Sequence, residues 1–152
     1  MMRTKKRRSR GQGLVEFALI LPILLLIVLG LIEFGRAFFI YTVVSNAARE
    51  GARYGIVHPR DPDGVEDAVY SRMVLVPTDT LVLDIYYDDG VARFDDPALI
   101  VEGQSRVVVE VEAPFSMITP IIRDIFPPTT ISFTSARTIV AGARARKTPA
   151  PP

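Results

Sequence analysis

The side chains able to do chemistry are few and unevenly placed. The chain has no cysteine and one histidine, His58, which removes disulfides, thiolate zinc sites and most catalytic triads. No glycine-rich phosphate loop follows a strand-like run, and no G-x-S-x-G occurs. Asp61, Asp63, Glu66 and Asp67 form an acidic cluster that invites calcium. Its glycine, Gly64, is misplaced for an EF-hand, however, and no glutamate stands at the twelfth position. No metal or cofactor is expected, and His58 reads as a loop residue. That leaves Glu16, a carboxylate at the mouth of a long uncharged run. Burying it unpaired in lipid would cost roughly 2.5–3.5 kcal/mol or more, so it either meets a cation or stays hydrated at the headgroups.

The element that must position Glu16 is the run itself. Between Glu16 and Glu33 there are 16 positions without a charge. At about 1.5 Å per residue, Leu14 to Ile32 spans roughly 28 Å as a helix, close to the thickness of a bilayer's hydrocarbon core. Of the 18 basic residues, Arg3, Lys5, Lys6, Arg7, Arg8 and Arg10 precede Gly11, and all 17 acidic residues follow it. The positive-inside rule then places the N-terminus in the cytoplasm and the chain beyond Glu33 outside. The remainder has 12 basic against 17 acidic residues, a mildly acidic body that argues against nucleic acid as a partner. After Leu31 the chain reads Ile32-Glu33-Phe34-Gly35-Arg36, which offers no A-x-A-like secretory cleavage site.

A cut before the apolar run is a further option. The segment Gly11-Gln12-Gly13-Leu14-Val15-Glu16-Phe17 resembles the class IVb prepilin peptidase site: a glycine, four residues, a glutamate and an aromatic residue, then an apolar helix. Its continuation, through SNAAREGARYG at residues 45–55, resembles the N-terminal half of TadE-like pseudopilins of tight-adherence (Flp) pilus systems. The resemblance covers roughly residues 11–55. It implies cleavage between Gly11 and Gln12 on the cytoplasmic face and a place in the bacterial inner membrane. The partners it implies are prepilin peptidase, other pilin-like subunits, inner-membrane pilus assembly proteins and membrane lipid. Phe17 departs from the tyrosine usual in major Flp pilins, which favours a minor subunit.

The motif also makes physical sense unaided. Removing residues 1–11 strips six positive charges, each contributing on the order of 1 kcal/mol near an anionic surface. It also creates an α-amino group on Gln12, with a reference pKa of about 7.7–8.0. Glu16 lies one helical turn further on. Pairing of Glu16 with the new N-terminus of an adjacent subunit would set register during assembly; simple hydration is the alternative.

Pro22 lacks an N–H and crowds the preceding turn, so a kink or an ordinary bend is expected there. The helical pattern then continues to about Ile56, a rod of roughly 65 Å counted from Leu14. Glu33 and Arg36 are spaced to pair, and Phe34, Phe38 and Tyr41 recur along one face. Ala48, Gly51, Ala52 and Gly55 form a row of small residues against which a sheet or a partner helix can lie. Opposite them Ser45, Arg49 and Arg53 make a polar stripe, with Glu50 spaced to pair with Arg53.

His58 to Gly64, with Pro59 and Pro62, ends the helix. Asp63 is a candidate N-cap for a short helix over Val65 to Met73. Strand-like runs follow at Leu81 to Tyr87, Arg106 to Glu112 and Ile131 to Val140, with a turn at Asp88-Asp89-Gly90. Between the last two strands, residues 114–128 are unusually apolar. They read equally as a loop or short helix folded over the core or as a surface for a partner or the membrane. The basic, proline-rich end from Ala143 reads as disordered.

The expected class is α+β: a long N-terminal helix packed on a small, mostly antiparallel sheet, a pilin-like architecture. Its expected parts are a leader (1–11), a transmembrane helix (12–32), an exported extension (33–57), a head (58–142) and a tail (143–152). Three functions compete: a processed pilin-like subunit, an uncleaved membrane-anchored adaptor or scaffold, and a membrane-tethered enzyme. The last is weakest, because nothing selects a catalytic pair.

Overall fold

The computed structural model describes residues 10–139. Most of the proposed leader and the whole tail lie outside them. Helix α1, Arg10–Gly55, is continuous over 46 residues and runs through Pro22. It ends where the sequence demands it, one turn before His58 and Pro59. Helix α2, Pro62–Tyr70, follows. Strands β1 (Val82–Asp88), β2 (Arg93–Phe94), β3 (Arg106–Phe115) and β4 (Thr129–Thr138) form one antiparallel sheet in the order β2-β1-β3-β4. A short helix, α3 (Pro120–Ile125), joins β3 to β4. The class is α+β, with the distal half of α1 laid across the sheet.

Alternation on β3 makes that packing. Val107, Val109, Val111, Ala113 and Phe115 are all buried, as period-two side chains facing one element must be. Val107, Val109, Val111 and Ala113 join Val44, Ala47, Ala48 and Ala52 of α1 and Val65 and Val69 of α2 in one core. The Tyr87 hydroxyl donates to the Pro59 carbonyl at 2.7 Å, tying β1 to the corner between the helices.

Several local expectations are corrected. The short helix starts at Pro62, not Val65, and its cap is Asp61, not Asp63. A proline at the first helical position needs no donor and has its φ pre-set, and the Asp61 carboxylate accepts the Gly64 N–H at 3.0 Å. Glu50 pairs with Arg72 of the α2–β1 connection at 3.3 Å rather than with Arg53, because α2 brings a cation across to it. Ser45 is buried, not part of an exposed stripe; its hydroxyl donates to the Thr42 carbonyl one turn back. The sheet has a fourth, two-residue strand, β2. The Asp89 carboxylate accepts the Val91 and Ala92 N–H groups and so folds the β1–β2 hairpin. Strand β3 runs on to Phe115, and β4 begins two residues early, at Thr129.

Candidate functional site

The residues singled out by type lie at two places on α1. Gly11, Gln12, Glu16 and Phe17 occupy its first described turns and are exposed. Gln12 and Glu16 are four apart and therefore neighbours on one face, which Gly11, Val15 and Leu19 share. Among the described residues Glu16 has no hydrogen bond or ion pair. The helix already includes the Gly11–Gln12 peptide bond, earlier than the Leu14 from which the sequence reading counts it. Gly11 and Gly13 have nothing within 4 Å of where a Cβ would stand. Each holds the helical conformation about 1 kcal/mol less well than alanine would.

The second place is the row of small residues. Ala48 and Ala52 are fully buried. A Cβ on Gly51 would stand 2.5 Å from Val69 Cγ2 and 3.3 Å from Val109 Cγ1, and one on Gly55 would stand 2.9 Å from Val107 Cγ2. Both glycines are occupied by close approach of this chain's own α2 and β3. Gly30 and Gly35, by contrast, face open space. The acidic cluster is spread by α2: Asp61 caps it and accepts the Tyr54 hydroxyl at 2.8 Å. These two hydrogen bonds, from Tyr54 first and then the Gly64 N–H, hold the Asp61 carboxyl below the usual carboxylate range, and the bond to Asp61 together with burial pushes the Tyr54 hydroxyl up. Among the described residues no three His, Asp or Glu side chains converge as a metal site would require. His58 stacks on Tyr54 with ring centroids 4.5 Å apart.

A residue that sequence reasoning undervalued is Glu33. The i,i+3 pair with Arg36 is present at 2.7 Å. The other oxygen of the carboxylate, however, accepts the backbone N–H groups of Ile118 and Thr119 at 2.7 and 2.8 Å and the Thr119 hydroxyl at 3.1 Å. Arg36 in turn donates to the Ser116 carbonyl and lies 5.0 Å over the Phe115 ring. Glu33 is only 5% exposed, so its charge is held by donors from a segment 85 residues away. Only the placement of an acid directly after the apolar run hinted at it.

Helix α1 is also long and apolar enough to cross a membrane, with a mean hydropathy of 2.9 over its best window, none of that window buried. Residues 11–53 match the family model for TadE-like protein. The match begins at the glycine of the candidate cut and ends within the row of small residues, so the similarity lies within α1. Comparison with curated proteins and with solved structures finds no match.

Proposed function

We propose that this chain is a non-enzymatic, minor pilin or pseudopilin-type subunit of a tight-adherence (Flp, type IVb) pilus or related secretion assembly. The observation that carries the reading is that the match to TadE-like protein starts at Gly11 and covers residues 11–53, nearly all of α1. In this reading residues 1–11 are a cytoplasmic leader, 12–32 span the inner membrane, 33–57 extend the rod, and 58–142 form an exported head. Prepilin peptidase cuts between Gly11 and Gln12.

A peptidase must draw the scissile bond into an extended strand. The glycines Gly11 and Gly13, on either side of Gln12, lower the cost of unwinding α1 there. After the cut, Glu16 presents a carboxylate one turn from the new N-terminus, where the α-amino group of a neighbouring subunit neutralises it and sets the axial register. Phe17 completes the recognition sequence. Pro22 removes one intrahelical hydrogen bond within the span and so eases bending there. The partners are the peptidase, other pilin-like subunits and the inner-membrane assembly proteins.

The test is intact-mass analysis of the mature chain after co-expression with a prepilin peptidase. The reading expects a chain beginning at Gln12. An intact leader would refute it and leave a membrane-anchored adaptor or scaffold with an exported domain.

A further inference from the structure

The β3–β4 connection carries apolar residues that the core does not use. Ile118, Ile125 and Phe126 are 69%, 67% and 55% exposed, in a segment that ends with Pro127 and Pro128. Their position relative to the apolar half of α1 is fixed by a ladder of contacts. Gly55 meets Val107, Gly51 meets Val109, Arg36 lies over Phe115, and Glu33 binds the N–H groups of Ile118 and Thr119. Strand β3 therefore runs antiparallel to α1, each step along it descending toward the apolar run. The dimensions agree. From residue 55 to 36 the helix covers about 28 Å, and from Val107 to Phe115 the strand covers about 26 Å. Thr129, the first residue of β4, pairs with Phe115. Residues 116–128 accordingly protrude from the sheet at its Phe115 end, and Glu33, the first charge after the uncharged run, is the level at which they are fastened.

We propose that this connection is a membrane foot: Ile118, Ile125 and Phe126 seat in the interfacial layer of the same bilayer that α1 crosses. The occupant follows from continuity. The apolar run leaves the hydrocarbon at Ile32, and the interfacial layer beyond it is about 5–7 Å thick. Helix α3, about 9 Å long, is joined directly to Thr119 at that level. Its exposed Arg123 sits where a guanidinium can reach lipid phosphates, while Asp124 beside it favours the aqueous side. Glu33 is the positioning residue, since it takes up two backbone N–H groups that otherwise need water and fixes the foot's height. The clamp would set the tilt of the sheet against the membrane until the subunit leaves it.

The inference rests on the reading of α1 as a membrane span, and the test separates the two. The chain lacks cysteine, so single environment-sensitive labels can be placed by Ile27→Cys in the run, Ile125→Cys in the foot and Val91→Cys at the far hairpin, where Val91 is 96% exposed. The full chain is reconstituted in vesicles of phosphatidylethanolamine and phosphatidylglycerol. The foot predicts blue-shifted emission at position 125, quenched by headgroup-level spin-labelled lipid and shielded from aqueous iodide. Position 27 should answer to deep lipid quencher and position 91 to iodide alone. Adding Glu33→Ala should shift position 125 toward iodide and leave position 27 unchanged. If position 27 is open to iodide, the span and the foot both fail. If position 27 is in lipid while position 125 is quenched by iodide alone, the foot is overturned and the span stands. Shielding of position 125 from both quenchers would mean that a second copy covers it, which also overturns the foot.

Discussion

Replacing Gly51 by alanine tests how closely α1 is pressed against the rest of the fold. The new Cβ would stand 2.5 Å from Val69 Cγ2, about 1 Å inside the ordinary carbon–carbon contact of about 3.5–4.0 Å. Val69 is fully buried and β-branched, so its χ1 has little freedom in a helix. Val109 Cγ1 at 3.3 Å and Val65 Cγ1 at 3.5 Å close the other sides. Overpacking of this kind costs about 1–3 kcal/mol. Alanine returns about 0.8–1 kcal/mol of helix propensity. With a deficit this large and a stiff neighbour, the net loss should be about 1–2 kcal/mol, or roughly 5–10 °C in Tm for a folded unit of about 100 residues. Gly35→Ala, with nothing within 4 Å, receives only the propensity gain and should be neutral or stabilising. Thermal melting of the full chain in detergent, followed by far-ultraviolet circular dichroism, reads both. A double-mutant cycle sharpens the point. Val69→Ala alone should cost about 1.5–3 kcal/mol, and the double variant should cost less than the two single changes together by about 1 kcal/mol, because the added methyl enters the space vacated. If Gly51→Ala melts at or above wild type, or if the two changes add within about 0.5 kcal/mol, the close approach of α2 to α1 is refuted.

Other outcomes are equally specific. Val109→Ala, in the middle of β3 and fully buried, should lower stability by about 2–3 kcal/mol in the same melting assay. The Asp61 carboxyl is depressed by the Tyr54 hydroxyl and the Gly64 N–H; its contribution is therefore complete above the ordinary carboxylate range and is lost as pH falls through the depressed value. Asp61→Asn should flatten that acid limb of Tm against pH. Glu16→Ala should leave processing at Gly11 intact while reducing incorporation into the pilus machinery, read by subunit crosslinking; unchanged incorporation would remove the pairing with a neighbouring N-terminus.

How much of this was legible in the sequence depends on how far each cause lies from its effect. Helix α1 and the alternation on β3 are local patterns, so the long helix and the central strand could be read directly. The row of small residues announced a close approach, though only the fold shows that β3 and α2 fill it. Caps are one-residue decisions: Asp61 and Asp63 flank the same proline, and the choice depends on which carboxylate reaches the Gly64 N–H. Strand β2 is two residues long and owes its existence to the Asp89 turn, below what periodicity can register. Glu33 marks the limit. Its i,i+3 partner Arg36 was visible, whereas Ile118 and Thr119 lie 85 and 86 residues away, and no pattern within a window joins them.

That separation also sets the order in which the molecule can form. Helix α1 is made first, and the strands that cover its small-residue face are made last. At about 5–20 residues per second, residues 56–139 follow the end of α1 by several seconds. Throughout that interval Val44, Ala47, Ala48 and Ala52 have no sheet to lie against, and Glu33 has only Arg36. Closure of the β3–β4 hairpin onto Glu33 is therefore the natural final step of maturation. A chain stalled before Ile118 would already hold α2 and β3, but the edge of β3 that pairs with β4 would stand open and Glu33 would be met by Arg36 alone.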